Sequence, residues 1–210
     1  MLLRKDDHVL FYGDSITDAG RLGEDNNSGL GCGYAALCAS LLAARMPELN
    51  LRFTNRGISG NRVFDLEARL EEDLLDLEPT VVSVMIGIND TWRRYDSGVL
   101  SPIPDFEACY RRILSTVREE LGARLVICEP FCLPIPPDRT GWREDLDPRI
   151  AAVRRLAVDY GATFVPLDGL FAAAACRKPM DTWLPDGVHP TPAGHRLIAD
   201  AWIAAVTEAE

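Results

Sequence analysis

The stretch "HVLFYGDSIT", residues 8–17, runs from a continuous apolar and aromatic segment straight into a glycine, an aspartate and a serine. A half-exposed strand alternates apolar and polar residues. A run without that alternation marks a strand covered on both faces in a parallel sheet. Four more runs are read the same way: "LRFTNRG" (51–57), "TVVSVMIG" (80–87), "RLVICEP" (124–130) and "ATFVPLDG" (162–169).

Helical patterns fill the gaps. Residues 33–45 are rich in Ala and Leu, 62–77 carry a stripe of Leu66, Leu70, Leu74 and Leu77, and 105–121 place Phe106, Tyr110, Ile113, Leu114, Val117 and Leu121 on one side. Asp147 and Pro148 read as an N-cap and a first helical residue, with Gly161 as the stop. A last helix starts near "TPAGH", with Thr191 as its cap and Pro192 in its first turn, and runs through Trp202. This alternation specifies a three-layer α/β/α domain on a five-stranded parallel sheet with right-handed crossovers. At 210 residues one domain is expected over 1–210. Two long loops rich in Gly or Pro, 20–33 and 131–148, are expected to act as lids or pocket walls.

Composition narrows the partners. A formal charge of -10 and the lack of any Lys/Arg block argue against nucleic acid. The acidic residues Glu67, Glu71, Glu72, Asp73 and Asp76 fall between the leucines of the 62–77 stripe and read as a solvated helix face. No run approaches the ~20 apolar residues of a membrane span, and "MLLRKDDHVLF" lacks the apolar core of a signal peptide, so a cytoplasmic protein is expected. The six cysteines read as reduced thiols, Cys38, Cys109 and Cys128 within apolar segments. Cys128 and Cys132 in "CEPFC" complete no ligand set with only three histidines in the chain, so no metal is expected.

In open parallel sheets ligands bind beyond the carboxyl ends of the strands, near the point where strand order reverses. That rule selects Ser15, the turn "GISGN" (57–61) and "GIND" (87–90). A serine nucleophile needs a base and a third group to orient that base. His8 lies at the amino edge of the sheet, and His195 falls inside the last helical pattern. His189, in "PDGVHPTPAGH", has Asp186 three residues upstream, a spacing at which the carboxylate can fold back onto Nδ1 and leave Nε2 to deprotonate a serine. Polar turns also contain D-x-x-H by chance. The backbone N–H groups of Ser15 and Gly60 and the Asn89 amide are available as oxyanion donors, although Asn89 and Asp90 serve equally as turn and cap residues. "GISGN" narrowly misses the G-x-S-x-G nucleophile elbow, because Asn61 stands at its last position, and Ser59 reads as a turn residue. A phosphate cradled by "GDSIT" at a helix start remains a non-catalytic alternative; it leaves Asn89, Asp186 and His189 unused, and Asp14 would repel the anion.

The ordered set "GDSIT", "GISGN", "GIND" and "DGVHP" resembles the four blocks of the SGNH, or GDSL-type, hydrolases, which are serine esterases and lipases on a flavodoxin-like fold. The resemblance spans residues 13–190. It implies Ser15 as nucleophile, His189 as general base, Asp186 as its orienter, and Ser15, Gly60 and Asn89 as the oxyanion hole, with no cofactor. "NRGISGNRV", "VMIGINDTWRRYD" and "HPTPAGH" look most like the branch of bacterial acetylxylan esterases, whose members are often cytoplasmic and oligomeric. It implies a small acylated carbohydrate as substrate, with Trp92, Tyr95 and Trp183 as candidates for stacking on a sugar ring. A lysophospholipase or thioesterase is the alternative within the family.

Overall fold

Strand β1 (His8–Gly13) is buried along its whole length and begins a sheet whose alternate residues feed two separate cores. The computed structural model describes residues 1–24 and 26–207; Asp25, in the loop 20–33, lies outside the described residues. The other strands are β2 (Arg52–Gly57), β3 (Val81–Met85), β4 (Arg124–Cys128) and β5 (Thr163–Val165), all parallel, in the order β2-β1-β3-β4-β5. The chain moves outward from β1 to β2 and then crosses back to β3. Order therefore reverses between β1 and β3, which opens a crevice at their carboxyl ends.

The helices are α1 (Ser15–Asp18), α2 (Tyr34–Arg45), α3 (Val63–Ala68), α4 (Leu70–Asp73), α5 (Ile88–Asp96), α6 (Ile103–Glu120), α7 (Arg143–Asp159), α8 (Leu167–Ala175) and α9 (Pro192–Thr207). Val9 and Phe11 point to one layer, where Cys38 and Leu42 of α2, Phe171 of α8 and Ile198 and Trp202 of α9 pack. Leu10 and Tyr12 point to the other, against Val63 and Leu66 of α3, Ile113 and Val117 of α6, and Val153 of α7. The two-residue period of the strands thus places both faces of the sheet in apolar surroundings. Trp202 is fully buried, and its indole N–H donates to Ser83 Oγ at 2.9 Å, so the one hydroxyl in β3 is satisfied. Among the described residues no helix is long and apolar enough to cross a membrane.

Three local expectations are corrected. The 62–77 stripe is not one helix: it breaks into α3, α4 and a 3₁₀ turn, Leu75–Leu77. The break falls at Arg69, whose guanidinium donates to the Gly13 and Arg56 carbonyls at 3.1 and 2.9 Å and to Asn61 Oδ1 at 2.8 Å. These bonds satisfy carbonyls at the sheet end, and the helix yields its continuity to them. Asp73 also leaves the solvated face; it is buried, 2.7 Å from Arg69. Pro148 does not open a helix but sits inside α7, which starts at Arg143 after a 3₁₀ segment, Pro137–Trp142. The earlier start places Asp145 against Arg149 and Thr91, at 2.9 and 2.8 Å. Finally, "ATFVPLDG" is strand only over three residues, because Leu167 begins α8. The expected stop at Gly161 and the Thr191 cap hold: Gly161 has a φ of 55°, and Thr191 Oγ1 accepts from Gly194 N at 3.1 Å.

Asn55 ties the crevice to the sheet. Its buried amide donates to the Thr17 and Leu30 carbonyls at 2.6 and 2.9 Å, and its Oδ1 accepts from Gly57 N at 2.8 Å. Replacement by alanine leaves three buried backbone groups without partners, at about 1–3 kcal/mol for each group that water cannot reach. Asn55→Ala is expected to lower stability by at least 2 kcal/mol or so, read as a shift of the urea midpoint at unchanged slope.

Candidate active site

Ser15 is the first residue of α1. The cap is the preceding residue: Asp14 Oδ1 accepts from Ile16 N at 3.0 Å. A carboxylate thus already fills the helix start, which leaves no room for the phosphate reading of "GDSIT". Ser15 Oγ lies 2.9 Å from His189 Nε2. His189 Nδ1 lies 2.6 Å from Asp186 Oδ2, and Asp186 Oδ1 accepts from the backbone N–H groups of His189 and Val188 at 2.7 and 3.0 Å. One carboxylate therefore builds the turn and orients the ring carried by that turn. Gly187 makes the turn possible: its φ is +81°, and a Cβ would stand 2.2 Å from the Ile135 carbonyl oxygen. The turn is pressed against loop 131–148, where Leu133 N donates to the Gly187 carbonyl at 2.9 Å.

Across the crevice Asn89, in the first turn of α5, is buried and donates one amide hydrogen to the Asn61 carbonyl at 3.0 Å. This bond holds the turn that carries Gly60, whose φ is +85° and whose Cα faces open space. Asp90 turns inward and caps α3, accepting from Val63 N at 3.1 Å and from Ser101 at 2.8 Å. Asn89 and Asp90, adjacent in sequence, therefore do different work: one faces the crevice and the other fastens two helices.

The electrostatics follow from burial and partners. The hydrogen bond that the ring donates to Asp186 raises the His189 pKa above its ordinary value, and burial opposes it. Burial pushes the Asp186 carboxyl up, but hydrogen bonds from the His189 ring and from two backbone N–H groups outweigh it and hold the carboxyl well below the usual range. Asp14 is pushed up to about 7 and Asp90 to about 6, both by burial. His195 is pulled down to about 4 by burial, and its Nδ1 accepts from Tyr34 N at 3.2 Å, which satisfies the start of α2. His8 is buried at the amino edge, bonded to Thr54 Oγ1 at 2.8 Å.

The profile of the GDSL-like Lipase/Acylhydrolase family matches residues 11–197. The chain belongs to that family. This hydrolase is 36% identical to the acetylxylan esterase of Geobacillus stearothermophilus over 215 residues, 97% of this chain and 95% of the relative. A crystal structure of that organism's acetylxylan esterase Axe2 superposes with a TM-score of 0.89 at 34% identity, covering 100% of this chain and 98% of Axe2. A candidate GDSL-like lipase of Parabacteroides merdae ATCC 43184 superposes with a TM-score of 0.92 at 36% identity, covering 97% of each chain. The protein is a carboxylic ester hydrolase on a five-stranded α/β fold, as its family and relatives establish.

The three aromatics expected near a sugar are placed differently from one another. Trp92 packs against the His189 ring with centroids 5.7 Å apart, Tyr95 stacks on Trp142 at 5.5 Å, and Trp142 lies 5.2 Å from Trp92. Trp183 is not brought to this group; its indole N–H donates to the Ala174 carbonyl at the end of α8 at 3.1 Å, and its ring packs on the core. Sequence reasoning missed Trp142 and Arg139. Their loop signalled function by its length, but nothing periodic singled out either residue.

With the His189 pKa raised by Asp186, the neutral base is populated only above that raised value. We expect kcat/KM for an acetyl ester to fall on the acid side with a midpoint above the ~6.5 of free imidazole. A midpoint below that value in a pH–rate profile would show that the imidazole is not governed by Asp186.

Proposed function

We propose that the chain is a serine esterase that removes short acyl groups, acetyl foremost, from carbohydrate esters such as acetylated xylo-oligosaccharides. The observation that carries the reading is the unbroken chain Asp186–His189–Ser15, at 2.6 and 2.9 Å, with Asn89 bonded at 3.0 Å to the turn that carries Gly60. Support comes also from a catalytic mutant of Axe2 in which a serine is replaced by alanine and another in which an aspartate is replaced.

In this reading Ser15 Oγ attacks the ester carbonyl while His189 Nε2 takes its proton. The oxyanion is met by the N–H groups of Ser15 and Gly60 and by the amide hydrogen of Asn89 not used on Asn61. His189 then protonates the departing alcohol, and water enters to cleave the acyl-enzyme by the reverse transfers. Asp186 holds the ring in the tautomer with the proton on Nδ1 and stabilises the imidazolium. The side chains of His189 and Asp186 are 46% and 40% exposed, which suits a bulky polar alcohol that remains in solvent and a water that must reach the acyl-enzyme. Trp92, beside His189, is the aromatic we assign to the sugar, with Tyr95 at the edge of the same stack; Trp183 lacks this support.

A second reading is favoured by one feature. An apolar groove of about 600 Å³, lined by Ile135, Pro136, Pro179, Met180 and Pro185, meets the site at Asp186. It would suit a longer acyl chain, as in a lysophospholipase or thioesterase. Hydrolysis of p-nitrophenyl esters of increasing length separates the two. The acetylesterase reading expects the acetate to be the best substrate and acetylated xylo-oligosaccharides to be turned over; activity that climbs with chain length overturns it. Ser15→Ala is expected to abolish turnover, and Asn89→Ala to lower kcat by roughly 10²- to 10³-fold.

A further inference from the structure

Arg139 belongs to none of the four sequence blocks, yet it stands at the centre of the aromatic group beside His189. Its guanidinium carbon lies 3.9 Å from the Trp142 ring centroid and 4.6 Å from that of Trp92, and the two rings are themselves 5.2 Å apart and tilted by 57°, so the cation caps a pair of touching indoles. Trp92 in turn packs on the His189 ring. Arg139 Nε donates to the carbonyl of Asp186 at 3.4 Å, a long bond, so the stacking carries most of the fixation. The side chain is only 13% exposed. Its carboxylate neighbour Asp138, 3.0 Å away, is 65% exposed and compensates the charge weakly.

We propose that Arg139 is a positioning residue for the ester hydrolysis: packed over both Trp92 and Trp142, it braces the Asp186–His189 turn and holds a fixed positive charge near the imidazole. The proposal rests on the assignment of Ser15, His189 and Asp186 given above. Its logic is a balance of fields on one ring. Asp186 acts from the same turn and Asp14 from the start of α1, and both favour the imidazolium. Arg139 acts from loop 131–148 in the opposite sense, and His195 faces the ring from α9 as a group that burial keeps neutral near pH 7. Asp186, joined by Asp14 once that buried carboxyl ionises near pH 7, would alone hold the base protonated over more of the pH range. A cation held by aromatic faces offsets part of that pull without forming a hydrogen bond to the ring and without displacing Asp186 from Nδ1. The planar guanidinium suits the corner formed by the two tilted indoles, which a lysine ammonium on a flexible stem would cover less well.

The test compares Arg139→Met, Arg139→Gln and Arg139→Lys in the full chain. The His189 imidazole is titrated by NMR, its resonance identified by its loss in His189→Gln, and the pH dependence of kcat and KM for p-nitrophenyl acetate is followed in parallel. Removing the cation is expected to raise the His189 midpoint and to carry the acid limb of kcat/KM upward with it. Loss of the brace is expected to lower the plateau kcat by roughly 10-fold with KM little changed. Arg139→Lys should keep the midpoint near that of the unaltered protein and still show the fall in kcat. An unmoved His189 midpoint in both neutral variants overturns the electrostatic role, and an unmoved plateau kcat overturns the bracing. Arg139→Gln decides the matter should Arg139→Met fail to fold. Absence of ester turnover in the unaltered protein would count against the proposed reaction instead, while the NMR titration would still decide the effect of Arg139 on the ring.

Discussion

The reversal of strand order between β1 and β3 is the constraint on which the rest of this molecule depends. Parallel strands must end together at one edge of the sheet, and the crossover from β2 to β3 leaves the segments after β1 and β3 side by side. Ser15 follows β1 and Asn89 follows β3, so topology brings them to the same crevice although 74 positions separate them in the chain. The strand ends also leave backbone carbonyls and N–H groups away from water. Asn55 and Arg69 satisfy several of these groups: Asn55 bonds the Thr17 carbonyl and Gly57 N, and Arg69 the Gly13 and Arg56 carbonyls.

The third component arrives from the far end of the sequence. The turn 186–189 is short, glycine-bearing and closed by its own carboxylate, so Asp186 and His189 behave as one unit. What places that unit against Ser15 is the packing of loop 131–148 beneath Gly187 and of α9 behind it. The chain as a whole is strongly acidic, and Asp14 and Asp186 carry that character into the site; Arg139 is the cation that meets it there. Arg149 does the comparable work one layer deeper. Fully buried, it bonds Thr91 Oγ1, the Ser101 carbonyl and Asp145, and so fixes α5 and the Asn89 at its start. A buried charge of this kind gives little net stability, but breaking it is costly, which suits a device that sets position.

Several features were legible before any coordinates. The strand runs, the helices near 34–45, 103–120 and 192–207, the fold class and the family follow from patterns within a few residues of one another: continuous apolar runs, a 3.6-residue stripe, a Thr-Pro helix start and four short blocks in order. The interrupted 62–77 segment was not legible, because the residues that stop it, Gly13, Arg56 and Asn61, act through Arg69 and not through local propensity. The placement of Pro148 was not legible for a similar reason. A proline reads as a helix start, and only the bonds of Asp145 to Thr91 and Arg149 move the start of α7 back to Arg143.

The sequence by itself determined the alternation of strand and helix and the membership in the GDSL-like family, since each of these depends on residue type at short spacing. Only the tertiary structure decided which of the aromatics stands beside His189, that Asp73 is buried and that Arg139 packs over two touching indoles. Those facts depend on side chains meeting across long separations in sequence, where the energy comes from burial and partner geometry and leaves no periodic trace along the chain.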